Sequence, residues 1–248
     1  MGWLQEKYTR EYFLQRDEQG NLLPFGVYGI EFWERGDIYP EGRILLDQLR
    51  LQKARVLDLG FGRGEAIKYC LDHGAKHVDG VDFSESALDL AAYTLRDISP
   101  ERYQLRQKDI HAFLNEDARP RSYTHVLMLD VIEHIPRTEV GLLLPFILQS
   151  LVPGGVLVIH TPFFPQDNDV ITQGLLENCK DSSDEFDATR GMHINRYSRT
   201  GLGQQLQAHG FKRWGDYLFL RPTNGIPIWE YGGILRGKIG RILGYWVS

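Results

Sequence analysis

A glycine-rich turn directly after a short apolar strand is the strongest constraint on how this 248-residue chain can fold. Residues 55–66 read RVLDLGFGRGEA, which predicts a buried strand over 56–59, a turn with alternating glycines, and the start of a helix. Glycine permits positive φ and lets the backbone approach a ligand where a Cβ would collide. The helix begins directly after this turn, so the unpaired N–H groups of its first turn face the same ligand. The stretch therefore predicts a nucleotide or cofactor site at the carboxyl end of the first strand of an α/β sheet.

The spacing of the glycines narrows the kind of ligand. A dinucleotide site has the pattern G-x-G-x-x-G, and a phosphate-binding P-loop has Lys-Ser/Thr after its last glycine, where this chain has Glu65-Ala66. Asp58 lies two positions before the turn, where a carboxylate would repel a pyrophosphate and suits a positively charged ligand. S-adenosylmethionine fits, because it has an ammonium and a sulfonium for the acids and a carboxylate for the backbone amides.

Four segments resemble the motifs of the class I SAM-dependent methyltransferases of the small-molecule type, similar to methyltransferase types 11 and 23. They are VLDLGFGRG at 56–64, GVDFS at 80–84, DVIEHIP at 130–136 and LVPGG at 151–155. The resemblance implies an α/β fold: a Rossmann-like, seven-stranded, mostly parallel sheet flanked by helices. It also implies an N-terminal helical lid and an insert after the fifth strand.

Apolar periodicity and capping residues predict the secondary structure. Helices are predicted over 40–51 and 64–73, and strands over 77–81, 103–106, 123–129 and 156–160. Ser84 and Ser198 are placed to cap the helices that follow them.

Acidic residues at the ends of the predicted strands supply the cofactor contacts. Asp82 ends the second strand roughly 20 residues after the turn, where an acid can accept both hydroxyls of a ribose. Asp130 ends the fourth strand beside the turn, near the methionine part and the methyl group. The resemblance implies that Asp109 and Ile110 contact the adenine. The predicted cofactor-binding set is Asp58, Gly60, Phe61, Gly62, Gly64, Asp82, Phe83, Ser84, Asp109, Ile110, Asp130 and Val131.

Methyl transfer is an in-line displacement that needs an aligned nucleophile, exclusion of water and, for some acceptors, removal of a proton. Of eight histidines, three fall on the carboxyl side of the predicted sheet: His193 and His134, ranked first as the base, and then His160. Each can equally be a hydrogen-bonded scaffold residue. Candidates for lining the substrate site are Tyr8, Tyr12 and Tyr28.

The chain is predicted to form one methyltransferase domain over 1–248. Its parts are an N-terminal helical lid (1–50), a SAM-binding half (51–160), a cap insert (161–197), and a C-terminal half with a tail (198–248). The N-terminal aromatic residues favour a cover helix packed on the core, and a mobile lid is the alternative. Segments 1–35 and 161–197 are expected on the same side of the sheet, over the site.

Composition and charge limit the possible partners. A formal net charge of −5 counts against a nucleic-acid substrate, and no apolar run is long enough to span a membrane. The N-terminus lacks the features of a signal peptide and only two cysteines are present, so the expected location is cytoplasmic. The basic, glycine-rich tail is expected to pack on its own domain or in a homodimer, with a weak membrane-surface contact as the alternative.

No metal is expected. Asp130, Asp167 and Asn168 superficially resemble the ligands of metal-dependent catechol-type enzymes, but His160-Thr161 stands where their Asp-Asn pair ends the fifth strand.

The leading prediction is transfer of a methyl group from SAM to a small-molecule acceptor, with release of S-adenosylhomocysteine and with oxygen preferred over nitrogen or carbon. The alternatives are a methyltransferase acting on a macromolecule and a SAM-binding or scaffold protein without catalysis.

Overall fold

The structure is a computed structural model that describes residues 6–14, 19, 27–161, 168–169, 195–215 and 244–246. Its strands are β1 (Arg55–Leu59), β2 (His77–Asp82), β3 (Tyr103–Gln107), β4 (Tyr123–Leu129), β5 (Leu151–His160), β6 (Asn168–Asp169), β7 (Asn195–Arg196), β8 (Lys212–Gly215) and β9 (Gly244–Trp246). Seven of these form one sheet in the order β3-β2-β1-β4-β5-β9-β8, and β6 pairs separately with β7. Neighbours from β3 to β5 are parallel, whereas β9 is antiparallel to β5 and β8. The predicted Rossmann-like, mostly parallel sheet is confirmed.

The helices of the described residues are α1 (Arg10–Leu14), α2 (Val27–Glu34), α3 (Pro40–Leu46), α4 (Glu65–Asp72), α5 (Glu85–Thr94), α6 (Ile110–Glu116), α7 (Arg137–Ser150) and α8 (Arg199–Ala208). The two predicted serine caps are confirmed: Ser84 Oγ accepts from the N–H of Ala87, and Ser198 Oγ accepts from that of Gly201. Helix α3 is shorter than predicted, because the chain tightens into i→i+3 hydrogen bonds directly after Leu46. None of these helices combines the length and apolarity needed to cross a membrane.

Strand β5 begins earlier than predicted. Its pairing with β4 starts at Leu151 opposite Tyr123, is interrupted, and resumes at Val156 opposite His125. Gly154, with φ of 76°, lies in this interruption. The Pro-Gly-Gly segment is therefore a bulge within the strand, and the strand predicted over 156–160 is its regular part.

Both faces of the sheet are covered, so successive residues of one strand enter different cores. Val56 packs in a cluster with α3, α4 and α5, whereas Leu57 packs in a second cluster with α6, α7 and α8. Both side chains are fully buried. This arrangement explains why the strands read as continuous apolar runs rather than as alternating patterns. It leaves the carboxyl ends of the parallel strands as the place where polar groups converge.

Candidate active site

A cavity of about 300 Å³ lies at the carboxyl ends of β1, β2 and β4 and is called the central cavity here. It is large enough for a small ligand. Its wall consists of Tyr8, Tyr12, Phe13, Ile38, Tyr39, Asp58, Gly60, Phe61, Gly62, Arg63, Glu65, Ala66, Asp82, Phe83, Asp109, Ile110, His111, Leu129, Asp130, Val131, His134, Ile135, Glu139 and Leu143.

Most of the residues predicted from the sequence line this cavity. Gly64, Ser84 and His160 do not line it but adjoin residues that do. His193, one of the two histidines ranked first, lies outside the described residues, as does the side chain of Tyr28. Both remain predictions.

The glycine turn is shaped by the protein's own packing as well as by the cavity. Gly64 has φ of 83°, and a Cβ there would lie 2.9 Å from the Cβ of Ala91, so glycine lets α4 pack closely on α5. Gly62 has φ of 52°, and a Cβ there would meet only Phe13, at 3.7 Å. Gly62 is therefore the position where the backbone itself faces the open cavity.

Asp58 presents an unsatisfied carboxylate to the central cavity. Its side chain is buried, and its Oδ2 has no hydrogen-bond partner. Burial, followed by the charges of Asp82 and Glu65, raises the pKa of Asp58 to about 8. A buried carboxylate without a partner is unfavourable unless a donor or a cation satisfies it. The orphaned atom thus fits the positively charged cofactor predicted from the sequence.

Asp82 ties the glycine turn to the start of α5. Its Oδ2 accepts a hydrogen bond from the N–H of Gly62 at 3.0 Å, and its Oδ1 accepts one from the N–H of Ser84 at 2.9 Å. Burial raises the pKa of Asp82, and these backbone N–H groups partly oppose the rise. Each carboxylate oxygen can accept a further hydrogen bond, so Asp82 can receive hydroxyl donors from the cavity.

The side chain of Asp109 caps the N-terminus of α6. Its Oδ1 caps α6 by accepting from the N–H groups of His111 and Ala112, at 2.9 and 3.1 Å. The cap fixes the turn that brings Asp109 and Ile110 to the cavity wall.

Three polar side chains meet where β4 and β5 end. Nδ1 of His160 lies 2.7 Å from Oδ1 of Asp130, and the hydroxyl of Tyr39 donates to Oδ2 of Asp130 at 2.8 Å. Asp130 has φ of 56°, a conformation that non-glycine residues rarely adopt, and its N–H donates to the carbonyl of His160. The Asp130 side chain is 43% exposed and faces the cavity, whereas His160 is 15% exposed behind it. Strained backbone held by several contacts is frequent at functional sites.

A second acid lies beneath the same wall. Glu133 is buried, accepts a hydrogen bond from Thr161 through Oε2, and has no partner for Oε1. Burial and the neighbouring Asp130 hold the pKa of Glu133 well above its usual range. Burial also raises the phenol pKa of Tyr8 and Tyr12, with Glu133 contributing to both. The aromatic wall is therefore next to a cluster of acidic side chains.

The N-terminal segment (residues 6–14) closes one side of the cavity. The ring of Tyr8 makes edge contacts with Tyr12, Phe83 and His134, at centroid separations of 4.9, 5.0 and 5.8 Å. Two hydrogen bonds hold the segment: Ser84 Oγ donates to the Tyr8 carbonyl, and Arg63 donates to the Phe13 carbonyl. The predicted placement of segments 1–35 and 161–197 over the site stays a prediction, because most of the second segment lies outside the described residues.

Sequence reasoning missed Tyr39, Arg63, Glu133 and Glu139 as residues in or beneath the cavity wall. Tyr39 bonds a residue 91 positions away, and no local pattern signals such a pairing. Glu133 lies inside the recognised DVIEHIP segment, and its burial among acids was the missing information. In the part of the chain that the structure describes, no three His, Cys, Asp or Glu side chains are grouped to hold a metal ion.

The sequence profile of the family described as "Methyltransferase domain" matches residues 35–214. A curated relative, the ubiquinone biosynthesis O-methyltransferase of Neisseria meningitidis serogroup C, is 26% identical over 130 residues. That match covers 48% of this chain and 52% of the relative, so the chain spans about half the length of the curated relatives it matches.

Solved structures share the fold at low sequence identity. Phosphoethanolamine N-methyltransferase 2 of Haemonchus contortus, in complex with S-adenosylmethionine, has a TM-score of 0.57 and 18% identity, covering 85% of this chain and 46% of that one. The 1,6-didemethyltoxoflavin-N1-methyltransferase of Burkholderia thailandensis, with bound S-adenosylhomocysteine, has a TM-score of 0.55 and 18% identity, covering 84% and 77%.

The profile spans most of the chain, including the glycine turn, Asp58 and Asp82. The chain therefore belongs to the methyltransferase-domain family.

Proposed function

We propose that the protein transfers the methyl group of SAM to a hydroxyl oxygen of a small molecule held in the central cavity. The observation that carries this proposal is the Asp130–His160 pair, joined at 2.7 Å, with Asp130 exposed on the cavity wall. A hydroxyl is a weak nucleophile until its proton is removed, so oxygen acceptors profit most from a positioned base. The curated relative named as an O-methyltransferase agrees with this choice.

The residues proposed to hold the cofactor follow from their chemistry. Asp58 would receive its positive charge, Asp82 the ribose hydroxyls, and Asp109 with Ile110 the adenine. Gly62 would allow the backbone to approach. SAM supplies an electrophilic methyl group on its sulfonium. The remaining members of the predicted set (Gly60, Phe61, Gly64, Phe83, Ser84, Asp130 and Val131) would shape the turns around it.

The Asp130–His160 pair is proposed to take the hydroxyl proton. At 2.7 Å, Nδ1 of His160 is within hydrogen-bond distance of the carboxylate, so the imidazole and the carboxylate can share a proton. Tyr39 donates to the second carboxylate oxygen and fixes its direction. His134 lines the cavity beside Tyr8 and stays an alternative base, as does His193.

An acceptor of small size is proposed because the cavity has a volume of about 300 Å³ and the N-terminal segment closes one side of it. Tyr8 and Tyr12 close its upper side, and they are half-buried by their contacts with the strand-end turns. The role of Tyr28 in the same wall remains a prediction. The homodimer and membrane-surface alternatives concern the tail, most of which lies outside the described residues.

The test is a screen of hydroxylated small molecules with SAM, in which S-adenosylhomocysteine formation is measured and the methylated atom is located by NMR. We expect methyl ethers as products. His160→Gln should lower kcat by about 10²-fold or more, the usual scale for a lost base, and leave S-adenosylhomocysteine binding intact. His209→Gln, directly after the end of α8, is the matched control. Products methylated only on nitrogen or carbon would refute the oxygen acceptor, and full activity in His160→Gln would refute the base.

A further inference from the structure

Acidic groups outnumber basic groups around the central cavity. Among its described lining residues, six carry carboxylates and one, Arg63, carries a guanidinium; the two imidazoles are His111 and His134. Arg63 is already engaged, because it pairs with Glu65 at 2.8 Å and donates to the Phe13 carbonyl at 2.9 Å. No lining guanidinium or ammonium of the described residues is therefore left to receive an acidic ligand group.

The cofactor accounts for only part of this negative charge. The acids proposed to hold it, Asp58, Asp82 and Asp109, lie on the β1, β2 and β3 side. Asp130 and Glu139 line the opposite side, and Glu133 lies beneath it with Oε1 unpartnered. The proposed cofactor has two positive groups and one carboxylate. Its net charge of about +1 can therefore offset only about one carboxylate of the cavity.

Aromatic rings occupy the same side as these remaining acids. Tyr8 and Tyr12 contact each other edge to face, and Tyr39 donates its hydroxyl to Asp130. Aromatic faces beside carboxylates bind ammonium groups by combined cation–π and Coulomb attraction.

We infer that the acceptor bears a positively charged amine in addition to its methylated hydroxyl, and that acidic acceptors are excluded. This inference rests on the proposed function, which it narrows from small hydroxylated molecules to hydroxylated amines. Asp130 and Glu139, which line this side of the cavity, set the preference, with Glu139 at the exposed rim.

The test uses two sets of compounds that differ only in one charged group. The aromatic set is tyramine, 2-(4-hydroxyphenyl)ethanol and 4-hydroxyphenylacetate, and the aliphatic set is ethanolamine, ethylene glycol and glycolate. Binding to the full chain saturated with S-adenosylhomocysteine is measured by ligand-observed NMR at low and moderate salt. We expect the amine of a set to bind about fivefold or more tightly than the alcohol, and the carboxylate most weakly, with the differences reduced by salt.

Glu139→Lys should reduce the ratio of amine to alcohol affinity by about threefold, because the changed charge lies at the cavity rim. Asp89→Lys changes the net charge equally on the exposed surface of α5 and should leave the ratio unchanged. Equal binding within both sets, tighter binding of a carboxylate, or no binding of either amine at millimolar concentration would overturn the inference. If the ratio of amine to alcohol affinity is unchanged in Glu139→Lys, the amine preference does not arise from the side of the cavity that Glu139 lines.

The same compounds separate this inference from the proposed function. If the amines bind most tightly but receive the methyl group on nitrogen, or not at all, the oxygen acceptor fails and the charge preference stands. If the alcohols or carboxylates are methylated on oxygen and bind at least as tightly as the amines, the oxygen acceptor stands and the charge preference fails.

Discussion

Replacing Asp58 by Asn should abolish a proton release that accompanies cofactor binding. In the unliganded protein, burial raises the pKa of Asp58 from its ordinary value of 3.8 to about 8, so at pH 7 about nine-tenths of the carboxyls are protonated. A cationic ligand beside Oδ2 favours the ionised form and returns the pKa to below 7. Binding at pH 7 should therefore release up to about one proton per chain.

The pKa change also sets the size of the expected effect. At about 1.36 kcal/mol per pH unit, the interval from 3.8 to about 8 corresponds to a ceiling of about 6 kcal/mol for keeping Asp58 ionised without a partner. Because the folded-state pKa is the higher one, this group makes the unliganded protein less stable as pH rises from about 4 to about 8. Asp58→Asn should flatten that part of the stability profile and weaken cofactor binding by about 10- to 100-fold.

The assay is calorimetric titration with S-adenosylhomocysteine at pH 7 in phosphate, HEPES and Tris buffers. Each released proton is taken up by the buffer, so the dependence of the measured heat on the buffer's ionisation enthalpy gives the number of protons released. Asp89→Asn, exposed on α5, is the matched control and should release as many protons as the unchanged protein. Heats that do not depend on the buffer in the unchanged protein, or the same release in Asp58→Asn, would refute the reasoning.

Three further predictions concern the turns around the cavity. Asp82→Ala should weaken S-adenosylhomocysteine binding by about 1–3 kcal/mol in calorimetry, because the Gly62 N–H and the ribose both lose an acceptor; an unchanged affinity would move the ribose contact elsewhere. Gly64→Val should lower the melting temperature even without ligand, since its Cβ would lie 2.9 Å from Ala91; a normal melting curve would contradict this packing role. Ser84→Ala should lower the free energy of unfolding by about 0.5–2 kcal/mol and raise amide exchange in residues 6–14, and unaltered exchange there would show that the Ser84 contact does not hold the segment.

The sequence was sufficient where the structure depends on neighbouring residues. Apolar runs between turn residues located β1 to β4, and Ser84 and Ser198 were recognised as caps because a cap bonds an N–H three positions away. The acids Asp58, Asp82 and Asp130 were located because parallel strands present their carboxyl ends at one edge.

Features that depend on distant pairings could not be predicted in this way. Tyr39 precedes a helix of its own and meets Asp130 only after α3, α4 and the sheet have packed. The left-handed backbone of Asp130 is held by His160 on the next strand, so no local propensity predicts it. The bulge in β5 likewise depends on its pairing with β4.

The way in which the N-terminal segment is attached bears on how such an enzyme can diverge. The two hydrogen bonds that hold residues 6–14 are both accepted by main-chain carbonyls, those of Tyr8 and Phe13. Their donors, Ser84 and Arg63, belong to the turns around the central cavity. A carbonyl oxygen is present whatever side chain its residue carries. The rings at 8, 12 and 13 can therefore be exchanged during evolution, or in a library of variants, with both anchors kept. The aromatic lining of the cavity and the attachment of the segment are therefore separately variable in this protein.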